Sequence, residues 1–465
     1  MNAPTIWIVA PAFAAILFFA IRNQRILGIL SGTFTALLAI AAQFIPIAEV
    51  IQFGAFSFKM DASLTVLGRV LTIEPAQGSL LAIIYGAAAL WFFGAEASRT
   101  AGRIVPFGLL ITALMVAAIA VQPFLYAALF IELAILLAVP MLTDINRKPG
   151  RGVVRFLIYQ TLAMPFILLS GWLLAGVEAS PGDIALATQS AAMLGLGFAF
   201  LLAIFPLYNW IPTLLEENSP YIAGFLLWIF PTITIIFGAG FLDRYSWLRS
   251  SPQTLTALQS AGLLMVVTGG FWAATQRHLG RIMAYGSVAE TGFSLLALSL
   301  DARLGVPILF LLIPARALGL AVWSLALTIL NDQAGSLRFG AVRGLMRSFP
   351  FAGAALVLAS LSTGAFPLLA GFPARLALWE NLSRLSLGAA LWMGAGIVGL
   401  LTSSVRSLAA LSMADEYTGW EMREDWLQGL MLGLGVIGLF VLGLFPQLLQ
   451  YFLADLPAMF DRLGR

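Results

Sequence analysis

About 14 stretches of this 465-residue chain are apolar for nearly the length needed to cross a hydrocarbon core, roughly 20 residues each. They fall near residues 5–21, 27–46, 77–95, 104–121, 123–142, 154–176, 188–208, 221–242, 254–274, 280–299, 305–329, 350–372, 386–411 and 427–450. Inside a bilayer no water is available to satisfy backbone N–H and C=O groups, so runs of this kind have to be helical. The expected fold class is therefore all-α, a polytopic membrane protein of about 14 transmembrane helices. With 60% hydrophobic and 10% charged residues and a mean hydropathy of +0.95, no room remains for a sizeable soluble domain.

The same composition removes several function classes. There is no cysteine, which excludes disulfides, thiolate metal sites and cysteine-held iron–sulfur clusters. A single histidine, His278, excludes bis-histidine haem and histidine-cluster zinc. No redox centre is evident, and no cofactor or metal is expected in this chain. A net charge of +3 is too small to point to nucleic acid. The first apolar run lacks a preceding basic region and an evident cleavage site, so it reads as a retained helix rather than a signal peptide.

Connections between the runs carry the topology. Ile51 to Ile73 alternates with period two and reads as an extramembrane β-hairpin. Arg22, Arg25, Arg99, Arg103, Arg147, Lys148, Arg151 and Arg155 fall in the first, third and fifth connections, and Arg277, Arg281, Arg338, Arg343 and Arg347 in the ninth and eleventh. The opposite side holds a smaller set, including Arg244, Arg249, Arg303 and Arg384. By the positive-inside rule the odd connections are cytoplasmic and both ends of the chain face the periplasm or its equivalent; the expected location is a prokaryotic inner membrane. Asp415 to Trp426 mixes acids with aromatics, as a solvated loop or a subunit-contact stretch does.

Charges within the apolar runs are the functional candidates, because an intramembrane charge costs a few kcal/mol unless it is paired or used. Glu132 lies in the middle of the run from Pro123 to Leu142. Glu290 sits ten residues into the tenth run, Arg316 follows Pro314 in the eleventh, and Arg375 follows the Gly371-Phe372-Pro373 break. Each also has a purely structural reading: a hydrogen bond to a neighbouring helix, a seal on a helix break, or satisfaction of carbonyls freed by proline. Tyr208 and Tyr285 suit a wet path or an interfacial anchor, and His278 a solvated loop or a channel mouth. The chain's only lysines, Lys59 and Lys148, lie in polar connections. Pro206 and Pro212 interrupt the seventh run, Pro231 the eighth, Pro314 the eleventh and Pro367 the twelfth; breaks five runs apart point to two repeated halves.

At four stretches the chain resembles the antiporter-like membrane subunits of respiratory complex I, which are similar to subunits of multi-component sodium/proton antiporters and of membrane-bound hydrogenases. These are Phe130-Ile131-Glu132-Leu133, then Pro206-Leu207-Tyr208-Asn209-Trp210-Ile211-Pro212, then Arg281-Ile282-Met283-Ala284-Tyr285-Gly286-Ser287-Val288, and finally Gly364-Ala365-Phe366-Pro367 with Gly371-Phe372 and Arg375. The resemblance implies two inverted five-helix repeats with broken helices, each a half channel, driven by redox chemistry in other subunits. On that frame residues 1–122 hold N-terminal helices and the hairpin near 51–73. Residues 123–242 (or from 104) form the first repeat, 254–411 the second, and 412–465 a loop, a last helix and a tail.

Departures from the family pattern are as informative. Glu132 matches the family's fifth-helix glutamate and Arg316 stands at its eleventh-helix lysine position, whereas Leu201 replaces the lysine five residues before Pro206. The histidine position is Asn209 or Tyr208, the basic positions of the eighth run fall near Trp228 and Thr232, and Arg375 replaces a lysine or glutamate. An arginine stays charged where a desolvated lysine releases its proton. The expectation is a proton- or sodium-translocating membrane subunit of a complex I-like, hydrogenase-like or antiporter-like assembly. Glu132, Glu290, Arg316, Arg375, Tyr208 and Tyr285 form its route, and other membrane subunits and lipid are its partners. The alternatives are a non-conducting scaffold that has lost its channel lysines, and an unrelated solute transporter or membrane-embedded enzyme.

Overall fold

The computed structural model describes residues 2–53, 56–66, 68–143, 148–180, 183–413 and 421–463. Asp415 to Trp420 of the acidic-aromatic stretch, and Arg147, lie outside them. The chain is overwhelmingly helical, and among the described residues eleven helices are long and apolar enough to cross a membrane. In order the main helices, long and short, are α1 (Ala10–Phe18), α2 (Gln24–Phe44), α3 (Gly78–Ala97), α4 (Ala101–Ala120), α5 (Ala127–Leu142), α6 (Arg151–Ala179), α7 (Ile184–Leu201), α8 (Trp210–Glu217) and α9 (Pro220–Arg244). There follow α10 (Pro252–Thr275), α11 (Leu279–Leu298), α12 (Ala302–Ala334), α13 (Pro350–Thr363), α14 (Phe372–Leu385), α15 (Leu387–Ser412) and α16 (Trp426–Leu444).

Local chemistry starts and stops these helices. Asn23 begins α2 by accepting from the backbone N–H groups of Arg25 and Ile26 at 3.0 and 3.2 Å, and Asp183 begins α7 by accepting from Leu186 at 3.0 Å. Gly335, in the left-handed region at φ 68°, ends α12. Helices α9 and α12 are largely enclosed by others, whereas α7, α10 and α16 keep one broad face open, the distribution expected of a bundle whose rim faces lipid or neighbouring chains.

Two backbone breaks have the same construction. The last turn of α7 closes with Ala203 N–H donating to the Phe200 carbonyl (3.2 Å) and Ile204 N–H to that of Ala199 (2.9 Å); in α13, Ala365 donates to Ser362 (3.1 Å) and Phe366 to Leu361 (3.0 Å). This is the Schellman pattern in both places. Its left-handed position is occupied by alanine each time, at φ 51° for Ala203 and 56° for Ala365. Cis prolyl bonds precede Pro123 and Pro206.

The alternating stretch after α2 forms two hairpins instead of the one expected. Strand β1 (Val50–Phe53) pairs with β2 (Phe56–Lys59), and β3 (Ser63–Val66) with β4 (Arg69–Thr72), all antiparallel. Between them Met60 is buried and Asp61 bridges to Asn2, with its carbonyl accepting from Ala3 at 2.8 Å, so the chain turns inward and cannot continue one ladder. A short β5 (Val121–Gln122) extends the second hairpin through Leu71↔Val121 and Val70↔Gln122. On this same strand-bearing face, residues 456–463 dock through buried Leu456, Phe460 and Leu463. There Asp243, at the end of α9, accepts from the backbone N–H groups of Asp461, Arg462 and Leu463 at 3.2, 2.7 and 2.7 Å.

Candidate ion-translocation site

Proline inside α9 sets up the first part of the site. Pro231 has no N–H to give to the carbonyl four residues earlier, which belongs to Leu227. Arg316 of α12 donates to that carbonyl at 2.8 Å and to the Thr291 hydroxyl of α11 at 3.1 Å. The proline-released carbonyl that Arg316 meets therefore lies on the neighbouring helix, not in the kink at Pro314 of its own. The Arg316 side chain is almost fully enclosed, and its Nε and Nη1 meet no acceptor among the described residues.

The break between α13 and α14 builds the second part. There the Ser362 carbonyl accepts from Arg375 Nη1 at 3.0 Å as well as from Ala365 N–H, and the Ser362 hydroxyl accepts from Gly371 N–H at 3.0 Å. A Cβ at position 371 would fall 1.8 Å from the guanidinium, so only glycine lets Arg375 reach back to the carbonyl. The other Arg375 amine pairs with the carboxylate of Glu290, and its guanidinium lies 4.8 Å from the Phe293 ring centre. At 1% and 4% exposure, both partners have lost their hydration, so this pair differs in kind from the exposed pair Arg384–Glu380. Glu290 and Thr291 are adjacent on α11, which puts two guanidiniums around one carboxylate.

The first half is organised differently. Gln160 of α6 donates to the Leu201 carbonyl at 3.1 Å, at the end of α7 just before the first break. Glu132 accepts from the Thr161 hydroxyl at 2.8 Å, and its second oxygen is buried without a partner. No cation pairs with Glu132 among the described residues. Leu201, Trp228 and Thr232 are all buried, and Thr232 donates to the Trp228 carbonyl at 2.6 Å. Tyr208, from the first break, meets Tyr285 of α11 edge to face at 6.1 Å, and Tyr285 stacks near Trp272 at 6.4 Å.

A cavity of about 20 Å³ lies between Arg316 and the first break, bounded among others by Gln160, Leu201, Ser287, Thr291 and Arg316. A second, of about 10 Å³, lies on the other side of Arg316 against Thr232 and Ser294. The first is large enough for one water and has several polar groups to hold it. The arrangement thus brings Arg316, Arg375 and Glu290 together, sets Tyr208 and Tyr285 side by side, and leaves Glu132 apart on α5. Gln160, Thr161 and Ser362 escaped the sequence reading. The one available signal was a glutamine inside the apolar run from Val153 to Ala175.

A family model described as NADH:quinone oxidoreductase/Mrp antiporter, TM, matches residues 175–402, a span that includes both breaks, Glu290, Arg316 and Arg375. Among curated relatives, NADH-quinone oxidoreductase subunit 14 of Thermus thermophilus is 27% identical over 326 residues, 67% of this chain and 71% of that protein. Over these spans the chain is similar to the antiporter-like membrane subunits. Subunit N of Geobacter metallireducens is 28% identical to this chain, over 65% of this chain and 67% of its own length. Other relatives match over about half of theirs, such as NAD(P)H-quinone oxidoreductase chain 4 1 of a Synechococcus strain at 49%.

Solved structures share the fold at low identity. A chain of the archaeal membrane-bound sulfane sulfur reductase superposes at a TM-score of 0.84 with 17% identity, covering 100% of this chain and 99% of that chain. A chain of the Mrp complex from Dietzia sp. gives 0.80 at 17%, covering 98% and 97%, and one of Thermus thermophilus complex I gives 0.76 at 19%, covering 100% and 99%. The chain is an integral membrane protein.

Proposed function

We propose that this subunit translocates protons, or sodium ions, as one membrane component of a complex I-like assembly whose redox chemistry resides in partner subunits. The observation that carries the reading is Glu132: a carboxylate in the middle of an apolar helix, with a hydroxyl on one oxygen, the other oxygen buried and no counter-cation among the described residues. Such a group is costly to keep unless it exchanges a proton or pairs with a cation from outside the chain. In the second half the guanidiniums of Arg316 and Arg375 stay charged. Proton movement past them uses Glu290, the hydroxyls of Ser287, Thr291 and Ser294, and water in the two small cavities, with the arginines setting the local field.

Two inverted repeats of five spans each organise this route, α4 to α9 and α10 to α15. The support is a shared packing pattern. Helices α4 and α5, α5 and α6, α6 and both pieces of the first break, and α9 against α4, α5 and both pieces all pack together; each of these pairings recurs among α10 to α15. With the Thr5–Phe18 helix, α11 and the broken pair α13/α14 added to the eleven long spans, the chain crosses the membrane 14 times. The arginine-rich connections then face the cytoplasm and the strand-bearing face the periplasm of a prokaryotic inner membrane. The partners are other membrane subunits of the same assembly.

A scaffold reading has its own support in Leu201, Trp228 and Thr232, which are uncharged and buried at positions where the family resemblance expects basic residues. The two are separated by reconstituting the intact complex with Glu132→Gln and following ion flux with a pH-sensitive dye while redox turnover is driven. The translocation reading expects a loss of most of the flux attributable to this subunit, with assembly intact. Unchanged flux would overturn it and leave the scaffold.

A further inference from the structure

Outside this route, four arginines line one cleft of about 490 Å³: Arg277 just beyond α10, Arg338 and Arg343 in the connection after α12, and Arg406 on α15. No carboxylate borders the cleft, and none of the four is in an ion pair, among the described residues. Arg277, Arg338 and Arg343 are exposed. Four like charges held close together repel one another, so a multivalent anion is the natural occupant.

The backbone holds this charge in place. Phe339 N–H donates to the Arg277 carbonyl and Leu279 N–H to that of Leu337, each at 2.9 Å, while His278 and Arg338 form an antiparallel bridge. Arg406 donates to the Ala274 carbonyl at the end of α10, and its guanidinium lies 5.5 Å from the Phe339 ring centre. A cleft of arginines on paired backbone is preorganised and loses little freedom on binding.

Its remaining wall is apolar, built from Ala409, Ala410 and Met413 at the end of α15. The outer flank of that helix continues with exposed Val405 and Val398 toward the bilayer interior. A small inorganic anion has no use for such a wall, whereas an amphipathic molecule with a phosphate head and acyl tails matches both halves of it. We propose that this cleft binds the phosphate headgroup of an anionic phospholipid, with the acyl chains laid along the exposed flank of α15.

The test uses the full chain in neutral detergent, titrated with tetraoleoyl cardiolipin, dioleoylphosphatidylcholine and, separately, soluble glycerophosphate, with bound species counted by native mass spectrometry. The expected result is preferential retention of the diphosphate lipid. The double variant Arg277→Gln/Arg343→Gln, which removes two exposed guanidiniums and none of the backbone pairing, should weaken that retention by about thirty-fold, at roughly fivefold per arginine. Its phosphatidylcholine binding should not change. Full retention of cardiolipin by the variant overturns the proposal, as does glycerophosphate binding as tightly as the lipid. A third overturning result comes from the assembled complex. There, protection of the four arginines from a guanidine-modifying dicarbonyl that persists after delipidation would assign the cleft to an acidic protein neighbour.

Discussion

Glu290 is the carboxylate paired with the buried Arg375, and its removal leaves that guanidinium buried without a counter-charge among the described residues. Glu290→Gln should therefore cost about 3–5 kcal/mol, the range for breaking a buried pair by deleting one partner. Adding Arg375→Gln should recover part of the loss, because the uncompensated charge goes with it. Denaturation midpoints of the single and double variants in mixed detergent measure both effects; a single variant as stable as the parent would mean the pair does not hold the break together. At this scale the charged candidates were readable, since a charge in an apolar run is conspicuous by its cost. Gln160, Thr161 and Ser362 were not, because neutral polar side chains are cheap in a helix. Which of them meets a freed carbonyl is settled by tertiary packing alone.

Helix α7 and helix α13 both end on an alanine in the left-handed region, where a Cβ costs about 1 kcal/mol relative to glycine. Ala203→Gly and Ala365→Gly should each stabilise the fold by up to about 1 kcal/mol, since glycine meets the same backbone bonds without that strain. Thermal unfolding of each variant would reveal it, and a drop in both would show that something other than the Schellman geometry selects alanine. The positions of the breaks were evident from Pro206 and Pro367, as each proline marks where helical bonding has to stop. Their common construction was not, because φ is a property of the folded chain. Likewise the strand pattern of residues 51–73 was visible, but its division into two hairpins depends on Met60 turning into the core and on Asp61 pairing with Asn2.

Across the whole molecule, the two halves meet on the arginine-rich face around His278. Its Nδ1 accepts from Arg281 N–H at 3.4 Å to start α11, and Arg281 pairs with Glu216 of α8 in the first half. Burial lowers the His278 pKa from its usual 6.5; Glu216 opposes this, while Arg281 and Arg338 add to it. A histidine whose folded pKa is depressed contributes stability that is full above the unfolded value and is lost as pH falls below it. Stability should thus decline as pH falls below about 6.5, and His278→Asn, which keeps a capping oxygen that does not titrate, should flatten that slope. Unfolding midpoints across this window decide it. The membrane-spanning helical character and the arginine bias were legible from the sequence because hydropathy and charge act locally. The seam at His278 was not, since it joins side chains 65 residues apart.

The docking of residues 456–463 onto Asp243 has a mechanical meaning. Three successive backbone N–H groups share one carboxylate 218 to 220 residues earlier in the chain. A pull on residues 456–463 is therefore delivered first to the tip of α9, one of the most enclosed helices, and only then to the outlying α16. These residues work as a stitch that ties the stretch after α16 to the enclosed part of the bundle.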